Sequence, residues 1–244
     1  MTTSAIDIHD IFTSIACKYD SLNSILTLNI DGLWRRKAIE LCNIEKNSKV
    51  LDLCCGTGKM MEYECKKVGK DTEVVGLDFN QEMINVGYSQ LDKSIKEYKY
   101  KLMIGDATEL PFEDNSFNSV TIAFGLRNVQ DKSKALLEMH RVLKPGGRLV
   151  CLELSKPEMP ILKNFYNSYF NNVLPLIGYL GTRDKKAYYY LRDSVNNFMT
   201  KGELKTEFEK CGFINSDYIS LTCGAASIHY GSKPIIIDKK HNAM

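Results

Sequence analysis

The stretch that most constrains this chain is Val50-Leu51-Asp52-Leu53-Cys54-Cys55-Gly56-Thr57-Gly58. A short apolar strand, Lys49 to Leu53, runs into a glycine-bearing turn, and a helix opens near Met60. That order makes a nucleotide-sized cradle, because glycine lets backbone N–H groups approach a ligand with no Cβ in the way. A second strand, Glu73 to Leu77, leads to Asp78, twenty residues past Gly58. An acidic residue at that spacing is placed to accept hydrogen bonds from ribose hydroxyls. The dinucleotide fingerprint asks for a third Gly or Ala three residues after the second glycine, and Met61 stands there instead. No Gly-Lys-Ser/Thr follows the turn, so the Walker pattern is missing as well. An adenosine cofactor without phosphates fits what is left. S-adenosylmethionine is such a molecule, and its amino acid end would lie against the Gly56–Gly58 turn.

Short apolar runs at Val50–Leu53, Val74–Leu77, Tyr100–Ile104, Val120–Ala123 and Leu149–Leu154 alternate with helical stretches such as Gln81–Leu91 and Lys132–Leu143. This alternation predicts an α/β fold with a doubly wound parallel sheet. Lys144-Pro145-Gly146-Gly147 reads as a turn that stops the helix before the fifth strand. Ligands bind such sheets at the carboxyl ends of the strands, so the loops there carry the functional signal. After the third strand comes Gly105-Asp106-Ala107-Thr108. Asp106 is placed to accept from an exocyclic amino group such as adenine N6, and Ala107 leaves room for the ring. After the fourth comes Phe124-Gly125-Leu126-Arg127-Asn128-Val129, where Arg127 and Asn128 offer N–H donors to the cleft. For Arg127 the structural alternative is a salt bridge to a neighbouring loop.

Apolar residues at Ile8, Phe12, Ile15, Ala16, Tyr19, Leu22 and Leu26 mark an amphipathic helical stretch with a break near Asp20-Ser21. It is either a packed helix or a lid with Tyr19 pointing inward. In the helix Leu33–Leu41, Trp34 beside Arg35 and Arg36 could touch an anionic surface, but the favoured reading is a packing Trp with both arginines solvated. Aromatic-rich residues 157–180, with helical spacing from Ile161 to Leu174, suggest a cap over the cleft that continues through Lys185–Leu191. A helix Gly202–Cys211 and strands Ser216–Leu221 and Ala226–Lys233 follow, with a disordered tail from Asp238. The expected organisation is one domain: lid 1–45, cofactor core 46–155, cap 156–200, final helix and strands 201–234, tail 235–244. A chain of 244 residues with 44% hydrophobic content suffices for it. A net charge of +2 carries no nucleic-acid signature. The eight cysteines form no Cys-x-x-Cys pair and no zinc-type spacing, so they read as reduced packing residues with no metal to hold. Without a leader or a membrane-length apolar run, the expected location is cytoplasmic.

Several stretches are familiar together. They are Lys18-Tyr19-Asp20 with Asn23, Leu33-Trp34-Arg35, the turn Val50 to Gly58, Gly76-Leu77-Asp78-Phe79 and Leu110-Pro111-Phe112. Phe124 to Val129, Arg141 to Gly147, and Leu152-Glu153 with Ser155-Lys156-Pro157 complete the set. Through them the chain resembles the ubiquinone/menaquinone biosynthesis C-methyltransferases over residues 8 to 234. The resemblance implies a class I S-adenosylmethionine-dependent (Rossmann-like) methyltransferase with seven strands, the last antiparallel. It puts Gly56, Thr57 and Gly58 in the cofactor turn, Asp78 with Phe79 at the ribose, and Asp106 with Ala107 at the adenine. Ala123 lies in the cofactor pocket where many relatives carry Ser, and Lys59 stands where relatives usually carry an acid. Arg127 and Asn128 would stabilise a ring phenolate, with Tyr19 or a bound water as the base and His229 structural. The implied substrate is a polyprenylated quinol, closer to the menaquinone-only branch than to the dual-substrate branch, with a ubiquinone-pathway methyltransferase as the rival within the class. A non-catalytic cofactor-binding subunit of a quinone-synthesis complex is the rival of another class. Helices Ile8–Leu28 and Ile161–Leu174 would shelter the lipid tail and touch the inner face of the membrane. A homodimer is left open.

Overall fold

The computed structural model describes residues 5–157 and 185–235. Helices α1 (Ala5–Ile15), α2 (Tyr19–Leu26) and α3 (Asp31–Leu41) precede the sheet. The chain then alternates through β1 (Val50–Leu53), α4 (Met61–Val68), β2 (Val74–Asp78), α5 (Gln81–Ser94) and β3 (Tyr100–Ile104). It continues as β4 (Phe117–Ala123), α6 (Lys132–Val142), β5 (Leu143–Leu154), α7 (Lys185–Asn197), α8 (Lys201–Lys210), β6 (Ile214–Leu221) and β7 (Ala226–Ser232). The strands pair in the order β3-β2-β1-β4-β5-β7-β6. All pairs up to β5 are parallel, and β7 runs antiparallel between β5 and β6, as the resemblance implied.

β1 lies at the centre with helices on both faces, which is why all four of its residues are buried. The two-residue period divides them. Leu51 and Leu53 join Leu136, Met139 and Phe208 on one face, while Val50 packs with Met61, Cys65 and Leu91 on the other. Helix starts are fixed by side-chain caps. Asn80 accepts from Met83 N (3.0 Å) and Asp131 from Lys134 N (2.9 Å). Thr200 and Glu203 close a capping box at α8.

Several details differ from the sequence expectations. The N-terminal helical stretch breaks at Ala16–Lys18, a short 3-10 turn, slightly earlier than Asp20-Ser21. Its apolar residues serve two destinations: Ile8, Phe12 and Ala16 pack with Met83, whereas Leu22 packs with Val195. Lys144-Pro145-Gly146-Gly147 ends the helix yet does not leave the sheet. Pairing begins at Phe117↔Leu143, shifts register across these residues, and resumes at Ser119↔Arg148. Trp34 is buried and donates from Nε1 to Thr222 Oγ1 (2.9 Å), but of the two following arginines only Arg36 is solvated. Arg35 is buried. The expected cap helix Ile161–Leu174 and the tail from Asp238 lie outside the described residues. The segment Lys185–Leu191 falls in α7, which extends to Asn197.

Met61 occupies the position where a dinucleotide site needs a small residue, and it is fully buried against β2. A Cβ on Gly76 would come within 2.5 Å of Met61 Sδ and 2.8 Å of Leu102 Cδ2. Gly76→Ala is therefore expected to lower stability by about 1–3 kcal/mol through overpacking. Urea unfolding checks this, and an unchanged midpoint would mean that Met61 and Leu102 repack without strain.

Candidate active site

A cavity of about 380 Å³ opens at the carboxyl ends of β1 to β4. The turn after β1 supplies Gly56 and Thr57, the end of β2 Asp78 and Phe79, and the loop after β3 Asp106 and Ala107. Ala123 and Asn128 come from β4 and the loop beyond it, and Tyr19 closes the cavity from α2. Of the residues singled out in the sequence, Gly58 and Arg127 are not in this lining. Gly58 faces α5, where a Cβ would lie 2.8 Å from Leu91 Cδ1, so its place in the turn is structural.

Gly56 has φ +55°, and no atom lies within 4 Å of where its Cβ would be, which leaves an open cradle. Asp78 is buried. Its Oδ2 accepts from Gly56 N (2.8 Å) and its Oδ1 from Asn80 N (2.9 Å). Each carboxylate oxygen keeps a further lone pair for a ligand hydroxyl. Burial pushes the Asp78 carboxyl up, against the pull of the N–H groups of Asn80, Gly56 and Phe79. Asp106 Oδ1 accepts from Thr108 N (2.8 Å), a local turn that fixes the exposed carboxylate beside buried Ala107. These residues fit an adenosyl group whose hydroxyls and amino group need acceptors.

Beyond Phe124 the cavity adjoins two others, of about 270 Å³ and about 50 Å³, which share Asn23, Leu26, Arg127 and Leu191. Tyr19 lines both the main cavity and the small one. The salt bridge weighed for Arg127 exists: Nη1 donates to Glu153 Oε1 at 2.7 Å, with the side chains 5% and 0% exposed. The same nitrogen donates to Phe124 O, and Glu153 Oε2 accepts from Arg127 N (3.2 Å). Arg127 Nε is buried without a hydrogen-bond partner among the described residues. Burial works against the Arg127 charge, but the Glu153 carboxylate, Tyr19 and Tyr190 outweigh it and keep the guanidinium charged. The Asn128 amide is engaged on both ends, accepting from Tyr190 Oη (2.7 Å) and donating to Phe124 O (3.4 Å).

Burial pushes the Tyr19 phenol up, and the Arg127 charge and a hydrogen bond with Asn23 take back only part of the shift. Tyr19 thus keeps its proton at neutral pH, which does not suit the base expected of it from the resemblance. His229, in the middle of β7, hydrogen-bonds to Lys201 O (2.9 Å), and burial pushes it down to about 4. Among the described residues no group of three or more His, Cys, Asp or Glu could hold a metal ion.

Three residues that the sequence reading left out of the site stand in or behind it. Asp20 and Arg35 line the main cavity, and Glu153 holds Arg127. Each sits in a stretch that carried the family resemblance, and that was their only signal in the sequence.

Beneath the turn, Asp52 and Glu64 are both buried and share one hydroxyl. Thr121 Oγ1 lies 3.0 Å from Asp52 Oδ1 and 2.5 Å from Glu64 Oε1. One hydroxyl proton serves one of these contacts, so the other requires a protonated carboxyl donating to Thr121 Oγ1. Burial pushes Asp52 up to about 7, and it raises Glu64 well above its usual range with the Asp52 charge adding to it.

The sheet order with its antiparallel β7, and a cleft at the strand ends that fits an adenosyl group, define a class I S-adenosylmethionine-dependent methyltransferase. The ubiE/COQ5 methyltransferase family matches residues 1–233, and the chain belongs to it. It is 46% identical over 226 residues to the demethylmenaquinone methyltransferase of Staphylococcus aureus, covering 93% of this chain and 92% of that protein. A methyltransferase of Haloferax volcanii solved with the Trm112 methyltransferase activator superposes with a TM-score of 0.67 at 17% identity. That match covers 91% of this chain and 97% of the other. A SAM-dependent methyltransferase from Aquifex aeolicus gives 0.61 at 18% identity, over 81% and 88%. These two likenesses concern the fold.

The buried acid pair has a consequence for stability. A carboxyl raised on folding binds its proton in the native state while the unfolded chain releases it. Stability from that proton is complete below the ordinary value of 3.8 and is lost as pH rises toward about 7 for Asp52. Glu64→Gln supplies the donor without a proton to lose. It is expected to flatten the fall in stability between pH 4 and 7 and to exceed the wild type at neutral pH. Melting temperatures across that range decide, and an unchanged slope would place the bound proton elsewhere.

Proposed function

We propose that the chain transfers a methyl group to a ring carbon of a polyprenylated naphthoquinol, converting demethylmenaquinol to menaquinol. What carries the reading is the 46% identity to a demethylmenaquinone methyltransferase over nearly the whole length of both chains. S-adenosylmethionine, when bound, supplies an electrophilic methyl on a sulfonium. Asp78 holds the ribose, Asp106 and Ala107 the adenine, and Gly56 and Thr57 the turn beneath the amino acid end. Phe79 closes over them with its ring against Phe12 and His9.

The quinol ring lies where Tyr19, Asn23, Phe124 and Arg127 meet, with its tail along the apolar wall of the 270 Å³ cavity. A ring carbon becomes nucleophilic as charge builds on the adjacent hydroxyl oxygen. Its electron pair would form the new carbon–carbon bond as the methyl–sulfur bond breaks to leave S-adenosylhomocysteine, and the ring C–H proton would pass to a water as aromaticity returns. Arg127 Nε, without a hydrogen-bond partner among the described residues, is the donor for that oxygen, and the neutral Tyr19 phenol adds a second. Asn128 positions Tyr190 and the Phe124 carbonyl. The N-terminal helices α1 and α2 act as a lid over this junction, to which α7 adds Tyr190 and Leu191, within a cytoplasmic protein that visits the membrane surface. Leu28 is 74% exposed at the mouth of the apolar cavity, beside exposed Ile25 and Leu33. Together they form an edge suited to a bilayer, and no described helix is long and apolar enough to cross one.

Incubation with methyl-labelled S-adenosylmethionine and each demethylated quinol tests the substrate. Label is expected in menaquinol, and label only in the benzoquinol would move the chain to ubiquinone synthesis. Label in neither would leave a binding subunit. With vesicle-embedded substrate, Leu28→Asp should slow turnover of a long-tailed quinol about tenfold and spare a short-tailed one. Equal rates would remove the membrane edge.

Arg127→Ala strands the Glu153 carboxylate in the interior and should cost about 3–5 kcal/mol, which mixes folding with chemistry. Combining Arg127→Met with Glu153→Gln removes both charges. The double variant should keep most of its stability and its cofactor affinity, while single-turnover rates fall by about 10²–10³. Wild-type turnover in that variant would end the role given to Arg127.

A further inference from the structure

The main cavity is lined by two opposite charges, each of which keeps one buried polar atom without a hydrogen bond among the described residues. Asp20 lies in α2. Its Oδ1 accepts from Thr57 Oγ1 at 2.8 Å, while Oδ2 is buried with no hydrogen-bond partner among the described residues. Arg35 lies in α3 and is 6% exposed. Its Nε is likewise buried without a hydrogen bond, and its ion-pair partner, Asp31 Oδ2, stands off at 3.6 Å. The guanidinium carbon sits 5.0 Å from the centre of the Phe124 ring, so an aromatic face occupies one side of the group. Neither buried acid below, Asp52 or Glu64, has a hydrogen bond to Arg35; both use Thr121. Leaving one charged oxygen and one charged N–H unmatched in a buried wall costs free energy that a ligand of opposite charges recovers.

We propose that Asp20 and Arg35 clamp the amino acid end of the cofactor, the Asp20 carboxylate taking its ammonium and the Arg35 guanidinium taking its carboxylate. The inference rests on the S-adenosylmethionine reading and adds to it two residues from outside the strand core. Both line the cavity that also exposes Gly56 and Thr57, the turn against which the amino acid end belongs. Adenosine is then read by loops of the sheet and the zwitterion by the N-terminal helices. The Thr57–Asp20 hydrogen bond joins the two halves.

Calorimetry with three ligands separates the parts. S-adenosylhomocysteine has both charges, S-adenosyl-3-thiopropylamine has the ammonium alone, and 5′-methylthioadenosine has neither. Asp20→Asn, whose amide oxygen still accepts from Thr57, should weaken the first two by on the order of 10–100-fold and leave the third within about twofold. Arg35→Gln should weaken S-adenosylhomocysteine by a similar factor and spare the other two. Binding of methylthioadenosine also reports that a variant is folded, and Asp20→Ser replaces Asp20→Asn if the latter is not. Equal losses for all three ligands, or unchanged S-adenosylhomocysteine affinity, would overturn the clamp. A wild-type protein that binds none of the three would instead overturn the S-adenosylmethionine reading.

Discussion

The contact on which this site depends is the buried ion pair between Arg127 and Glu153. Two charges taken out of water are costly unless their remaining hydrogen-bonding capacity is met. Here Glu153, near the end of β5, accepts from Arg127 Nη1, Arg127 N and Leu154 N, so both of its oxygens are used. The pair ties the loop after β4 to the end of β5 and fixes the guanidinium plane. With Nη1 committed to Glu153 and to Phe124 O, Nε is held where it has no hydrogen-bond partner among the described residues. The ion pair that supports the loop is thus compatible with the donor role proposed for Nε. Reading Arg127 as either a salt bridge or a functional residue posed a choice that the geometry does not make.

Much of the architecture was legible because it follows from local periodicity. Apolar runs of four to six residues between helical patterns marked the strands, and Asp78 fell at the end of β2 where the glycine spacing put it. What was not legible depends on pairing across distance. Asp20 bonds Thr57 thirty-seven positions away, and Glu153 meets Arg127 twenty-six positions on. Periodicity carries no trace of either contact. Arg35 was misread for a related reason. An arginine after a packing tryptophan looks solvated, and its burial comes from Phe124 and the cavity, which are remote in sequence. The Pro-Gly-Gly signal was read correctly as a helix stop. That the same residues continue into β5 is set by hydrogen bonds of Gly146 and Gly147 with Lys233, at the far end of the chain.

Phe124 shows how the local cost of the site is met. Its φ of +59° lies in the left-handed region, disfavoured for a bulky residue and costing about 1–3 kcal/mol. Five contacts hold it there. Its N donates to Leu152 O (2.7 Å), its carbonyl accepts from Arg127 and Asn128, and its ring packs on Trp34 and Arg35. The conformation turns the carbonyl toward Arg127 while the ring forms a wall common to the main cavity and the apolar one. Gly125 must follow, since a Cβ there would lie 2.4 Å from Cys54 Cβ, itself on a left-handed residue at φ +50° after β1. Two strained residues at adjacent strand ends therefore interlock. Relaxing either would move the wall between the cavities and the carbonyl that helps hold Arg127, so strain at this point is tied to the placement of the guanidinium.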